Sequence, residues 1–395
     1  MIQTHRRIDE VANGVRSRWR RHGRRWKRAL LGACAAVWSG LMHPAVLAAA
    51  GAAGAGEAVP APATAAAPAA VPEPVESGPI IVDGPTEAVL RGAIRFLASK
   101  QLPNGSWGMT DFERRHPVAM TGYTLMAFLA AGHLPGEGEE GKVARAGLQY
   151  LLDSAKPDGT FGDRSLGQYM YNHGIATIAL AELYGQTQAG DIKPKLDRAI
   201  RLIITSQNSE GGWRYRPIAQ DADVSVTVLQ VVGLRAAKNA GIDVPQDTID
   251  KAVRYVKSCY DSASGGFTYQ PGNRAPGYAR TAAAIYSLQV CGLYDDPLVK
   301  RGSEYLLKNF GQREWFTYGT FYAVPAQYML GGDGWKAWYP RIRAQLLRQV
   351  VREGDRAHWD GSIDMGSNGL GPIYATAVYA SVLAMPWNYV PIYQR

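Results

Sequence analysis

Apolar positions fall in two alternating patterns along most of the chain. In stretches such as RAIRLIITSQNSEGGW (198–213), Ile200, Leu202 and Ile203 recur at helical spacing with Arg198 and Arg201 between them, which predicts a helix with one wet face. The stretches HGIATIALAELYG (173–185), SVTVLQVVGLRAA (225–237) and YARTAAAIYSLQVCG (278–292) are apolar nearly all round and predict helices covered on every side. A Gly-rich tip carrying an aromatic joins a helix of the first kind to one of the second. The unit starts with RGAIRFLASKQLPNGSWG (91–108), returns at 146–162, 198–213 and 251–267, and fades at 301–315 and 344–359. A period of about 50 residues over six helix–turn–helix units predicts an all-α fold, an α/α toroid with inner and outer helix rings in a single barrel. An open solenoid would need polar terminal caps. The apolar, aromatic end ATAVYASVLAMPWNYVPIY instead predicts a strap across a closed ring.

Charge changes the picture only at the start of the chain. Residues 1–28 hold ten Lys or Arg and two acids, so they account for eight of the nine net positive charges. The remainder is close to neutral, which argues against a nucleic-acid surface. The segment ALLGACAAVWSGLMHPAVLAAAG that follows reads as an export signal with a long basic region, cleaved near the Ala run around Ala48. A membrane anchor is the alternative, although Gly, Ser, His43 and Pro44 interrupt the segment. The reading is therefore a leader at 1–50, an Ala/Pro-rich linker at 51–79 that cannot bury enough surface to fold, and a folded domain at 80–395. Cys259 and Cys291 fall at opposite ends of one helical hairpin, so no disulfide between them is expected.

Several motifs carry a family resemblance. Arg91-Gly92, Phe96-Leu97, Gln101 and Gly105-Ser106-Trp107 resemble the Q-W repeat of squalene and oxidosqualene cyclases, and Leu202-Ile203, Gln207, Gly212 and Trp213 match it nearly as well. The resemblance spans 85–395, one barrel where squalene cyclases use two, and in size is similar to a protein prenyltransferase β-subunit. Together with YMYNHGIATIALAELYG, WFTYGTFY and the VPIYQR end, the whole resembles exported prenyltransferase/squalene-oxidase repeat proteins of planctomycete-type bacteria, for which no reaction carries over. The Gln and Trp of each tip also have a purely structural reading, as side chains that satisfy backbone groups at a helix end and tie neighbouring outer helices together.

In a toroid all inner helices start at one rim. Those starts supply His116, Tyr123, Tyr169, Tyr171, Asn172, His173, Asp221, Asp223, Tyr278, Arg280, Trp315, Tyr318, Tyr322 and Tyr374. The candidate substrate-binding set is Tyr169, Tyr171, Tyr278, Arg280, Trp315, Tyr318 and Tyr322. Such an aromatic mouth suits a large apolar ligand and can stabilise a carbocation by roughly 0.5 to 2 kcal/mol per ring.

Asp221-Ala222-Asp223-Val224 stands where class II terpene cyclases carry Asp-x-Asp-Asp, and the resemblance implies Asp223 as general acid with Asp221 as its neighbour. Val224 replaces the last carboxylate, and either Asp also suits a helix N-cap. His173 could orient or reprotonate the acid across the lumen, or serve as a hydrogen-bonded structural group. No Asp-x-Cys pair, Asp-rich diphosphate motif or thioester Cys motif occurs, so no metal and no cofactor are expected.

Two functions stay open at this point. One is a proton-initiated isoprenoid cyclase or isomerase. The other is a non-catalytic exported toroid that binds a lipid, glycan or protein partner. The expected partner is an apolar isoprenoid- or hopanoid-like molecule or a protein, and the aromatic Trp387, Tyr389 and Tyr393 either make peripheral membrane or partner contact or pack on the barrel.

Overall fold

A computed structural model describes residues 80–395 except 137, 274, 363 and 365–369. The leader, the linker and their cleavage and anchoring signals lie outside the described residues. The fold is an α/α toroid. The outer helices are α1 (Gly84–Ser99), α4 (Gly138–Ser154), α6 (Lys193–Thr205), α8 (Gln246–Ser258), α10 (Pro297–Lys308) and α12 (Gly332–Gln349). The inner helices are α3 (Pro117–Ala130), α5 (Tyr169–Thr187), α7 (Val224–Asn239), α9 (Tyr278–Val290), α11 (Phe316–Leu330) and α13 (Pro372–Ala384). A short helix, α2 (Asp111–Arg115), precedes α3, and a hairpin of β1 (Val351–Glu353) and β2 (Arg356–His358) follows α12.

Each inner helix packs on the next, and α13 packs back on α3, which closes the inner ring. The sequence pattern accounts for the two layers. Every residue of α3 from Val118 to Ala130 is buried, whereas α8 buries only Thr248, Ile249, Ala252, Tyr255 and Val256 and leaves its Lys and Asp residues to solvent. The outer ring is joined by Arg343 of α12, which donates to Thr86 Oγ1 at 2.8 Å and pairs with Asp83, the N-cap of α1. Cys259 and Cys291 cap the C-terminal ends of α8 and α9 and are both free thiols, Cys259 buried and Cys291 half-buried.

The tips repeat one set of bonds. The indole N–H groups of Trp107, Trp213 and Trp359 donate to Leu97, Ile203 and Leu346 carbonyls, at 2.7, 2.8 and 3.0 Å, near the end of the preceding outer helix. Gln101 Nε2 donates to its own tip at Gly105 and across to Val143 of α4, and Gln207 does the same to Gly211 and to Thr248 of α8. In these two tips the side-chain amide thus links the tip to the following outer helix.

The tip glycines make that approach sterically feasible. Gly211 has φ +100°, and a Cβ there would stand 2.2 Å from the Lys251 carbonyl oxygen. Left-handed strain and the backbone clash act together. Gly211→Ala is expected to cost about 2 kcal/mol or more, read as a lowered urea midpoint with unchanged m value; an unchanged midpoint would contradict the close packing of this tip.

The chain end forms two 3-10 turns, Met385–Trp387 and Pro391–Tyr393, which contact α7, α11 and α13. Val390, Ile392 and Tyr393 are buried, and the Tyr389 ring lies against Gly132 at the end of α3. Arg395 anchors the last residues through Asp295 and the Tyr294 ring. The aromatic tail therefore packs on the barrel, over the end of the lumen opposite the inner-helix starts. Among the described residues no helix is long and apolar enough to cross a membrane.

Candidate functional site

The starts of the inner helices and the tips beside them enclose a cavity of about 420 Å³. Its size lies in the range of small-molecule sites. The deepest part is apolar. Tyr123 sits six residues into α3, about 9 Å down the helix, and packs edge-on against Tyr374 and Phe321 with ring centres 4.8 and 5.1 Å away. Tyr318 stands beside it and donates its hydroxyl to the Ser225 carbonyl at 2.6 Å. Tyr322, one turn below Tyr318 with centroids 4.9 Å apart, and Phe321 fill the lumen beneath.

Tyr171, Tyr215 and Tyr269 form one wall. Tyr171 stacks near Tyr215, and the Tyr215 and Tyr269 hydroxyls are 2.5 Å apart. Arg214 lies over both Tyr215 and Tyr269, at 5.0 and 5.7 Å from the ring centres, and Arg280 lies 5.9 Å from the Tyr269 centre. His116, Gln168 and Asn172 add neutral polar groups to the lining, with Asn172 Nδ2 3.2 Å from His116 Nδ1. Trp315 is 45 % exposed at the mouth in a left-handed conformation, φ +54°. A bulky residue in that region is strained, and such strain gathers at functional sites.

Asp223 lies directly behind this wall. It is the N-cap of α7, with Oδ1 accepting from Val226 N at 2.9 Å, and it is fully buried. Its Oδ2 has no hydrogen-bond partner and stands 3.5 Å from Arg214 Nε. Burial raises the carboxyl from 3.8 to about 6, against the opposing Val226 N–H, the Tyr269 hydroxyl and the Arg214 charge. Asp221 is different. It is exposed, pairs with Arg214 and accepts from Gln270 Nε2 at 3.1 Å. It therefore holds the guanidinium from outside and leaves Asp223 as the buried acid.

Other residues from the inner-helix starts do not reach the cavity. His173 is buried against the outer ring, with Nε2 3.2 Å from the Ala199 carbonyl of α6 and Nδ1 3.2 Å from the Tyr169 hydroxyl. Burial lowers it to about 4, so it is neutral, and it does not face Asp223 across the lumen. Tyr169 points the same way and accepts from Phe161 N at 2.7 Å. Tyr278 points outward as well and accepts from Trp338 Nε1 at 3.2 Å. All three tie the inner ring to the outer one.

The tip residues Arg214, Tyr215 and Tyr269 carry the wall that the helix starts alone would not supply. Their signal was available, since Tyr215 and Tyr269 each stand two residues after a tip aromatic, Trp213 and Phe267. Among the described residues no three His, Cys, Asp or Glu side chains gather to hold a metal ion.

No protein-family model and no curated protein matches this sequence. Solved structures do match in fold. The type II terpene cyclase MstE from Scytonema superposes with TM-score 0.54 at 14 % identity, covering 78 % of this chain and 99 % of that one. An α-1,6-mannanase of family GH76 from Salegentibacter gives 0.57 at 11 %, over 76 % and 98 %. A protein from Actinoplanes gives 0.51 at 16 %, over 76 % and 99 %. MstE has been captured with geranylgeranyl dihydroxybenzoate and the mannanase with α-1,6-mannotetrose. At these identities the likeness establishes the α/α toroid, and the chemistry has to be argued from this chain's own residues.

Proposed function

We propose that this toroid binds an isoprenoid-type apolar molecule in its aromatic cavity and protonates it, acting as an isomerase or cyclase of the class II terpene type with Asp223 as proton source. The Q-W-like repeat and its planctomycete-type relatives belong to this reading, as does export of the mature domain. The observation that carries it is a fully buried carboxyl immediately behind an aromatic wall, whose Oδ2 has no short hydrogen bond and only the Arg214 guanidinium 3.5 Å away. Asp223 does not itself line the cavity, so in the neutral form its proton reaches the alkene through the Tyr269 hydroxyl of the wall, which gives one proton to the alkene carbon as it takes the other from Asp223, and the cation formed lies among the faces of Tyr171, Tyr318 and Tyr123. Cyclisation or migration ends when a proton leaves a neighbouring carbon and returns through the same hydroxyl to the Asp223 carboxylate, so the acid is regenerated.

Asp223→Asn keeps the N-cap, since Asn caps as well as Asp, and removes the transferable proton. Product formation from geranylgeranyl or longer polyprenoid substrates is expected to fall at least about 10²-fold with little change in stability. Wild-type turnover should fall as pH rises through 6, because the protonated acid is the active form. Unchanged turnover in Asp223→Asn would sink the mechanism.

A second reading, a non-catalytic toroid for a lipid, glycan or protein partner, is favoured by Arg214 only 3.5 Å from Oδ2 and by Val224 where a second carboxylate would activate the acid. Ligand recovered chemically unchanged after prolonged incubation with the purified protein supports it.

A further inference from the structure

We infer that the ligand of this cavity is amphipathic, with a neutral, hydroxyl-bearing head held at the mouth by His116, Asn172 and Gln168 and an apolar tail directed down to Tyr123 and Tyr318. The inference rests on the isoprenoid reading for the tail and adds the head group.

Two sets of observations carry it. The first is that at five of the six inner-helix starts the protein itself takes backbone N–H groups, the exception being α3, which begins with Pro117 and has no side-chain cap. Inner helices begin there, and free N–H groups at helix starts would attract a phosphate or carboxylate. Asp223 caps α7 through Val226 N. Asp364 accepts from Phe316 N and Thr317 N at the start of α11, at 3.1 and 2.9 Å. Glu113 accepts from Tyr374 N at the start of α13, at 3.0 Å. Gln312 Oε1 accepts from Tyr278 N at the start of α9, and the Tyr215 carbonyl accepts from Met170 N in α5.

The two guanidiniums are occupied as well. Arg214 is paired with Asp221 and lies beside Asp223, and Arg280 is held by the Ala275 carbonyl and lies 3.9 Å from Glu314. Two cations thus face three carboxylates, and an added diphosphate would have to break existing pairs and meet like charge. The second set concerns what is left. His116 has its pKa lowered by burial and is therefore uncharged, and it pairs with Asn172. With Gln168 these groups offer neutral donors and acceptors suited to hydroxyls of a prenyl alcohol or of a sugar carried on a prenyl chain.

The test is a tryptophan-fluorescence titration of the full chain with geranylgeraniol, a geranylgeranyl glucoside, geranylgeranyl diphosphate and the parent hydrocarbon. The alcohol or the glucoside should bind at least about ten-fold tighter than the diphosphate, with affinity unchanged in about 0.5 M NaCl, where exposed charges are screened. Whichever of the two binds tighter identifies the source of the hydroxyl. Gln168→Leu, an exposed position that leaves the core intact, should weaken the hydroxylated ligand about five-fold, the effect of one hydrogen bond, and leave the hydrocarbon unaffected; His116→Phe should do the same. Equal or tighter binding of the diphosphate overturns the neutral head while the isoprenoid reading stands. Failure of all four ligands to bind removes the isoprenoid reading itself.

Discussion

Glu182→Gln is expected to stabilise the fold by on the order of 4 kcal/mol at pH 8 and above, while changing it little at pH 5. Glu182 is an inner-ring residue of α5, thirteen positions beyond the helix start, about 20 Å down the lumen. It is 3 % exposed, its Oε2 has no hydrogen-bond partner, and the Tyr286 and Tyr393 rings and the Ile392 backbone of the C-terminal strap surround it. Burial raises it from 4.5 to about 8, with only the Ile392 backbone bond opposing. The folded protein therefore holds a proton that the unfolded chain releases above pH 4.5. Stability from this group is complete below pH 4.5 and is lost as pH rises to about 8.

His173 acts in the opposite sense, because its folded value near 4 lies below its ordinary value; its contribution is full above pH 6.5 and lost as pH falls through 4. The difference between wild type and Glu182→Gln isolates the carboxyl from that background. Urea unfolding at pH 5, 7 and 9 gives it directly. Parallel stability curves for the two proteins would show that Glu182 is not protonated in the fold.

The architecture was legible because two hydrophobic patterns alternate at a fixed period, and burial follows them helix by helix. The site was legible only as far as topology goes. A closed ring brings all inner-helix starts to one rim, which places His116, Tyr123, Tyr171, Asn172, Arg280, Trp315, Tyr318 and Tyr374 around the cavity. Side-chain direction is a finer matter. Residues two apart on a helix point about 200° apart, so Tyr171 and Arg280 face the cavity while Tyr169 and Tyr278 face the outer ring. Tyr318 and Tyr322 are four apart and share a face, but one lines the cavity and the other lies beneath it. Periodicity cannot say which face is luminal when a helix is apolar all round, as α5 and α9 are. The tips escaped for another reason. Arg214, Tyr215 and Tyr269 belong to loops, whose direction no helical period sets.

Trp213→Ala is expected to cost about 4 to 5 kcal/mol. The indole is 1 % exposed, so truncation leaves a large cavity. The lost indole N–H also takes one hydrogen bond from the Ile203 carbonyl in the last turn of α6, which keeps those from Ser206 N and Oγ. Further, Trp213 joins the tip to the helix that carries the buried acid, because its carbonyl accepts from Asp223 N at 3.0 Å and its N–H donates to Thr227 Oγ1 at 3.1 Å. Collapse around an alanine would shift that backbone and loosen the N-cap. Phe161 and Phe267 show that a ring without an N–H serves at two other tips, where each residue also makes a short backbone bridge, to Ala155 and to Tyr260. Trp213→Phe should accordingly cost only about 1 to 3 kcal/mol, the loss of one buried hydrogen bond with most of the packing kept. Urea unfolding of both variants separates the two contributions. A Trp213→Ala loss no larger than that of Trp213→Phe would mean that the hydrogen bond, rather than the buried ring, holds the tip against α7.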